Sequence, residues 1–195
     1  MKFNITEIES CIEERRTIKP EKFTSRKVHK EIITRLLNAA RWAPNHGMTQ
    51  PWHFKVFTGE GLSKLGQGMA DIYKSTTEES LFKQAKYDQL LNRPSLTSVA
   101  IAICMKPGEN GKIPEIEEIE AVACSVQNIH LMATAYGLGG YWGSGAVAYS
   151  DEMKTFLGLE KQDKCLGVFY LGYPEGEWPK SHRKPLEYHT EWIEE

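Results

Sequence analysis

No apolar run in this 195-residue chain is long enough to cross a bilayer, which takes about 18 residues in a row. The longest, Val99 to Met105, is the length of a strand. An excess of one charge is lacking too. With 24 basic and 26 acidic residues the formal net charge is −2, so nucleic-acid binding driven by counterion release is not expected. Cysteine is scarce. Cys11, Cys104, Cys124 and Cys165 form no CxxC pair, which excludes zinc knuckles and thioredoxin-type motifs. There is no Walker A loop, no HExxH, no internal repeat and no low-complexity tract. The opening MKFNITEIES has no apolar core of a secretory signal. Cys104, Cys124 and Cys165 sit among apolar neighbours and are expected to be buried free thiols, as in a reduced, cytoplasmic protein.

What is present is an ordinary core-forming composition, with 41% apolar and 26% charged residues. Thr6 and Glu9 make a capping-box pattern, and Ile5, Ile8 and Ile12 recur at helical spacing. This first helix ends in the basic run Arg15 to Lys19, before Pro20. A second helix is expected from Ser25 to Arg41, with Val28, Ile32, Leu36 and Ala40 on one face and Pro44 as its stop. Trp52 to Phe57 alternates like a strand. Leu62 to Leu91 is helical in tendency, weakening around Thr76 and Thr77. Ser98 to Met105 predicts a strand covered on both faces. Pro107 to Pro114 is a loop. Ile116 to Tyr136 is the strongest helix, with Ile119, Val122, Ala123, Val126, Ile129 and Ala133 in period, ended by Gly137-Leu138-Gly139-Gly140. Tyr141 to Ala148 is rich in glycine. A short helix over Asp151 to Leu157, a strand over Leu166 to Leu171 and a polar tail over Trp178 to Glu195 complete an α+β or α/β pattern in one domain.

Two familiar patterns are approached and missed. Gly137 to Trp142 has the glycines of a dinucleotide fingerprint, but its sixth position is Trp and it follows a helix rather than a strand. Gly143-Ser144-Gly145 is too short for a GxSxG elbow. His46 and His53 flank a Gln-Pro-Trp loop with no evident third metal ligand. His53, on a strand, suits a structural hydrogen bond; His46, in a polar loop, suits either a structural or a functional role. Arg15, Arg16 and Lys19 suit the C-terminal end of a helix dipole. With the hydroxyl of Thr17 they equally make a phosphate clamp, to which Arg183 and Lys184 of the tail could return.

Five stretches, in order, carry a resemblance. They are Glu14-Arg15-Arg16-Thr17; Ala43-Pro44-Asn45-His46 with Gln50-Pro51-Trp52-His53-Phe54; Gly137 to Gly140 with Trp142 and Ser144-Gly145; Gly167 with Tyr170 to Pro174; and Arg183 to Glu187. The chain resembles the FMN-dependent nitroreductase family, in its compact branch of NAD(P)H nitroreductases. The resemblance implies an α+β fold with a central mixed β-sheet wrapped by helices, over a single domain spanning residues 1–195. The tail from about residue 178 would wrap the fold or the partner chain of an intertwined homodimer.

It implies two FMN sites at the dimer interface. Arg15 and Thr17 would meet the phosphate and ribityl, with Arg16 beside them. Lys19 would face the pyrimidine end, and Arg183 would meet the phosphate. His46 and Gln50 would be supplied by the partner, and Trp142, Gly143, Ser144 and Gly145 would line the ring. Met48 and Gly143 depart from the pattern, standing where many relatives have Asn and where the near branch often has Arg. The implied activity is hydride transfer from NADH or NADPH through FMN to an electron-poor acceptor such as a nitroaromatic or quinone, with ping-pong kinetics and no assigned side-chain acid or base. Other reactions of the same flavin fold, and FMN storage without turnover, stay open. No metal, nucleic acid or membrane partner is expected.

Overall fold

The computed structural model describes residues 2–109 and 111–194. Met1, Asn110 of the 107–114 loop and Glu195 of the tail lie outside the described residues. The fold is built on β2 (Val99–Met105), buried along its whole length as the unbroken apolar run predicts. Its side chains alternate. Val99, Ile101, Ile103 and Met105 face one core, while Ala100, Ala102 and Cys104 face another. On one side of β2 lies β1 (Trp52–Phe57), and on the other β4 (Lys164–Gly172), then β3 (Gly139–Gly143), giving the order β1-β2-β4-β3.

All three ladders are antiparallel. The expected mixed sheet is therefore corrected: among the described residues the only parallel pairing is the single bridge between Thr17 and Gly140. The reason lies in the strand order. β2 and β3 do point the same way, joined by a crossover through the long helix at 115–135, but they are not neighbours: β4 lies between them and runs antiparallel to both.

The first core is covered by α2 (Lys30–Ala40) and α5 (Glu115–Ala135). They contribute Ile33, Leu36 and Ala40, and Val122, Val126, Ile129 and Ala133. The second is covered by α3 (Glu60–Thr76), α4 (Gln84–Asn92), α6 (Ala146–Tyr149) and α7 (Asp151–Phe156). The helical tendency over 62–91 is thus two helices, broken at 77–83 where Thr77 is extended. α1 (Ile5–Glu14) buries no residue. Its cap is Asn4, whose side chain accepts from Glu7 N, not the expected Thr6. α2 begins at Lys30 rather than Ser25, because the Val28 backbone is already committed: its N–H donates to Ser98 Oγ at 2.7 Å.

β3 was hidden by its composition, since glycine is poor at holding a strand. It forms because close approach demands glycine. A Cβ on Gly139 would stand 2.8 Å from the Phe23 ring, and one on Gly140 would stand 2.6 Å from Phe169. Cys104 and Cys165 face each other across the β2–β4 ladder, both buried. Hydrogen bonding with Cys165, then burial, pushes the Cys104 thiol up and keeps it protonated. Cys124 corrects the expectation for its thiol: it lies on the outer face of α5 and is exposed. Among the described residues no helix is long and apolar enough to cross a membrane.

Candidate functional site

The backbone leaving α1 turns extended at Arg15 and runs alongside β3. Ile18 N donates to Gly140 O at 3.0 Å, and the Thr17–Gly140 bridge fixes the register. A third anchor comes from α5. His130 Nε2 lies 2.9 Å from Arg16 O. A carbonyl only accepts, so Nε2 carries the proton. Burial, first, pushes His130 down to about 4, with Arg15 nearby adding to the effect and the Arg16 carbonyl opposing it. The imidazole is therefore a neutral donor near neutral pH.

These anchors place Arg15 in an open basin of about 520 Å³ shared with Arg16, Gln127, Ser181, His182 and Arg183. Arg15 and Arg183, far apart in sequence, are brought together. Burial and then the neighbouring charges of Arg183 and Arg16 lower the Arg15 guanidinium from its ordinary value. Three cations crowded like this favour an anionic ligand. They are not equivalent. Arg16 is occupied with the carbonyls of Glu13, Arg15 and Pro179, the last at 2.8 Å, so it ties the tail to α1. Trp178 Nε1 repeats that tie, donating to Glu14 O at 2.6 Å. Among the described residues Arg183 bonds only to its own loop, at Ser181 Oγ and His182 O.

Beyond β3 a second cavity of about 150 Å³ is lined by Gly143, Ser144, Gly145, Tyr141, Tyr170 and Arg93, among others. The Tyr141 and Tyr170 rings stack at 6.0 Å, and Arg93 lies 5.5 Å from the Tyr141 ring centre. Arg93 also donates twice to Glu21 Oε1, at 2.9 and 2.7 Å. Burial works against the charge on Glu21, but a backbone N–H and Arg93 hold its carboxyl below the ordinary range, and nearby Lys19 adds to this. The Glu21–Arg93 pair thus links Lys19 electrostatically to the cavity lined by Gly143–Gly145. Trp142 points to the opposite face of β3, where Nε1 donates to Leu166 O at 3.1 Å.

His46 and Gln50 are not brought to this region. They sit on the 45–51 loop and line other basins, His46 with Glu117 and Cys124, Gln50 with His53, Lys106 and Asp163. His53 is partly buried. Burial first, then Lys106 and Lys55, lower it.

Sequence reasoning missed three residues that hold this architecture: Arg93, Glu118 and His130. The last two carried a readable signal. Glu118 and His130 fall at helical spacing from Val122 and Val126, so polar side chains were being placed on the buried stripe of α5.

The model of the nitroreductase family matches residues 12–173. This chain belongs to the nitroreductase family. That is an oxidoreductase family, and the resemblance carried by the five motifs is borne out. YdjA of Escherichia coli K12, which carries the provisional name NAD(P)H nitroreductase, is 34% identical over 149 residues, covering 74% of this chain and 77% of its own. The crystal structure of a nitroreductase-like family protein from Bacillus cereus is 31% identical with a TM-score of 0.84, and each chain is covered in full. The fold extends to NfnB of Mycobacterium smegmatis, an FMN-dependent nitroreductase solved in complex with NADPH. It is 19% identical with a TM-score of 0.72, covering 98% of this nitroreductase-family chain and all of its own.

Proposed function

We propose that this nitroreductase-family protein is an FMN-dependent oxidoreductase that moves a hydride from NADH or NADPH to an electron-poor acceptor such as a nitroaromatic or quinone. The observation that carries the reading is the meeting of Arg15 and Arg183 in one basin, beside the Thr17–Gly140 bridge. A phosphate with nearly two negative charges relieves that crowding, and its oxygens accept the guanidinium donors. The donor set fits FMN.

Arg15 and Arg183 would hold the phosphate, and Thr17 would add a hydroxyl. Lys19, next to the Glu21–Arg93 pair, would face the pyrimidine end and oppose negative charge gathering there on reduction. The Trp142–Gly145 turn would present backbone to the ring. When bound, FMN supplies the hydride chemistry by accepting from the nicotinamide and passing to the acceptor. Hydride transfer itself requires no side-chain acid, and none is assigned.

His46 and Gln50 line basins separate from Arg15 and Arg183, which supports a site completed by a second copy of the chain. The exposed apolar face of α1 supports the same reading, with Ile5, Ile8 and Ile12 each about half exposed (51, 48 and 51%). The tail from 178, tied to α1 through Trp178 and Arg16, would reach around the fold or onto the partner.

The visible spectrum of the purified protein, recorded before and after anaerobic NADH and NADPH, tests the reading. The expected result is a flavin band that either nucleotide bleaches and a nitroaromatic or quinone restores. A colourless protein that rejects added FMN overturns it. A bound flavin that neither nucleotide bleaches would instead mean storage of FMN.

A further inference from the structure

The first turn of α5 places two consecutive carboxylates against the 45–50 loop. Glu117 Oε2 lies 2.5 Å from His46 Nδ1. Glu118 is only 2% exposed. Its Oε2 accepts from Thr49 Oγ1 at 2.7 Å, and its Oε1 accepts from Gly108 N at 3.0 Å. A buried carboxylate is costly unless its oxygens are bonded, and both of these are. The helix N-terminus adds favourable dipole.

The loop it holds does not rest in a relaxed backbone. Gly47, Met48 and Gln50 have φ of +59°, +55° and +49°. Two of these are L residues in the left-handed region, which sterics disfavour and the surroundings must enforce. Few other bonds hold it: Asn45 Oδ1 accepts from Gln50 N at 3.0 Å, and Thr49 N donates to His46 O at 3.3 Å. Gly108 is equally committed, since a Cβ there would meet Thr49 Cγ2 at 2.6 Å. The hydride chemistry has no use for Glu118, yet among the described residues it is the α5 side chain that bonds both the 45–50 loop and Gly108.

We propose that Glu118 is a positioning residue. By bonding Thr49 and Gly108 together it fixes Thr49 in the right-handed region between left-handed Met48 and Gln50, enforces that strained loop, and so sets the direction in which His46 and Gln50 are presented to a flavin. The flavin part rests on the FMN reading above; the clamp itself does not.

Glu118→Gln and Glu118→Ala separate the outcomes. The amide of Gln accepts from Gly108 N–H through Oε1 and donates from Nε2 to Thr49 Oγ1. The Thr49 proton then turns to His46 O, already 3.3 Å away. Gln should therefore substitute and Ala should not. Met153→Ala, a fully buried α7 residue in the other core, serves as a control for general destabilisation.

Amide hydrogen exchange in the FMN-free protein is read first. Glu118→Ala should speed exchange at 46–50 and at Gly108 by roughly tenfold or more, the loss of a charge-assisted bond, with Gln near wild type. Met153→Ala should lower the melting temperature without that local signature. Unchanged local exchange in Glu118→Ala overturns the clamp. Flavin is read second. Glu118→Ala should weaken FMN and riboflavin by the same factor, roughly tenfold, and raise iodide quenching of the bound flavin at saturation. Faster local exchange with unaltered flavin affinity and quenching overturns the positioning role. A wild-type protein that takes up neither flavin overturns the FMN reading and the flavin half of this proposal, while the exchange data still decide the clamp. Should Glu118→Ala not fold, Thr49→Val removes one donor, leaves the carboxylate in place and should give the same local signature.

Discussion

His130 Nε2 donates to the main-chain carbonyl of Arg16 across 2.9 Å, so the buried face of a helix packed on the sheet holds the segment that carries the cationic basin. Burial pushes this imidazole down to about 4, against an ordinary value near 6.5. Between those values the unfolded chain binds a proton that the folded one refuses, so stability must rise with pH through that window. The contribution is complete above about pH 6.5 and is lost as pH falls toward 4, for a total of about 3 kcal/mol. His130→Gln keeps a donor for Arg16 O without titrating. Urea midpoints from pH 4 to 8 should therefore fall more steeply with acid in wild type than in His130→Gln. Parallel profiles would remove His130 from the account.

Among the described residues Arg183 is tied only to its own loop but faces Arg15. A charge-assisted hydrogen bond contributes roughly 1.5–3 kcal/mol, so Arg183→Ala should weaken FMN by about 10- to 150-fold. Riboflavin has no phosphate, and its affinity should barely change. The variant should purify pale and regain activity with excess FMN. Titration of both flavins into wild-type and variant apoprotein checks this. Equal losses would place the effect of Arg183 in folding rather than in phosphate binding.

What could be read in advance followed the strength of local pattern. The seven-residue apolar run of β2 and the stripe of α5 each satisfy one period over their whole length, and the structure keeps both. β3 could not be read that way. Gly139 and Gly140 are dictated by Phe23, Phe169 and His130, which approach from distant parts of the chain. The same holds for the site. Arg15 and Arg183 were legible as cations of matching chemistry, but the Glu21–Arg93 pair has no sequence signature, because its partners meet only after the turn at Arg93–Leu96 packs against the turn at Pro20–Lys22.

Gly140 offers a test of that tertiary control. An Ala there places its Cβ 2.6 Å from Phe169 Cζ and 3.0 Å from His130 Nε2. The Phe169 ring is fully buried and has nowhere to move. Overpacking of this kind costs roughly 1–3 kcal/mol. Gly140→Ala should therefore lower the denaturation midpoint. It should also weaken FMN, because the Thr17 bridge and the Ile18 N–Gly140 O bond are made by the displaced residue. Gly176→Ala is the control in open space, although its φ of +78° carries a conformational cost of its own. A Gly140→Ala protein as stable as wild type would show that β3 yields to the added methyl.

The apolar face of α1 bears on the oligomeric state. Ile8 is 48% exposed and touches no buried core, so in an isolated chain Ile8→Glu should change stability by no more than about 0.5 kcal/mol. If a second copy covers that face, the same substitution buries an unpaired charge at an interface, which is far more costly. Sedimentation at micromolar concentration separates the cases. Wild type should run as a dimer and Ile8→Glu as a monomer. Because His46 and Gln50 line basins away from Arg15 and Arg183, the monomer should also hold FMN more weakly, although every cation of its own basin is intact. A wild-type monomer would remove the shared site altogether. A dimer that survives Ile8→Glu would move the interface off α1 and leave that face to another contact.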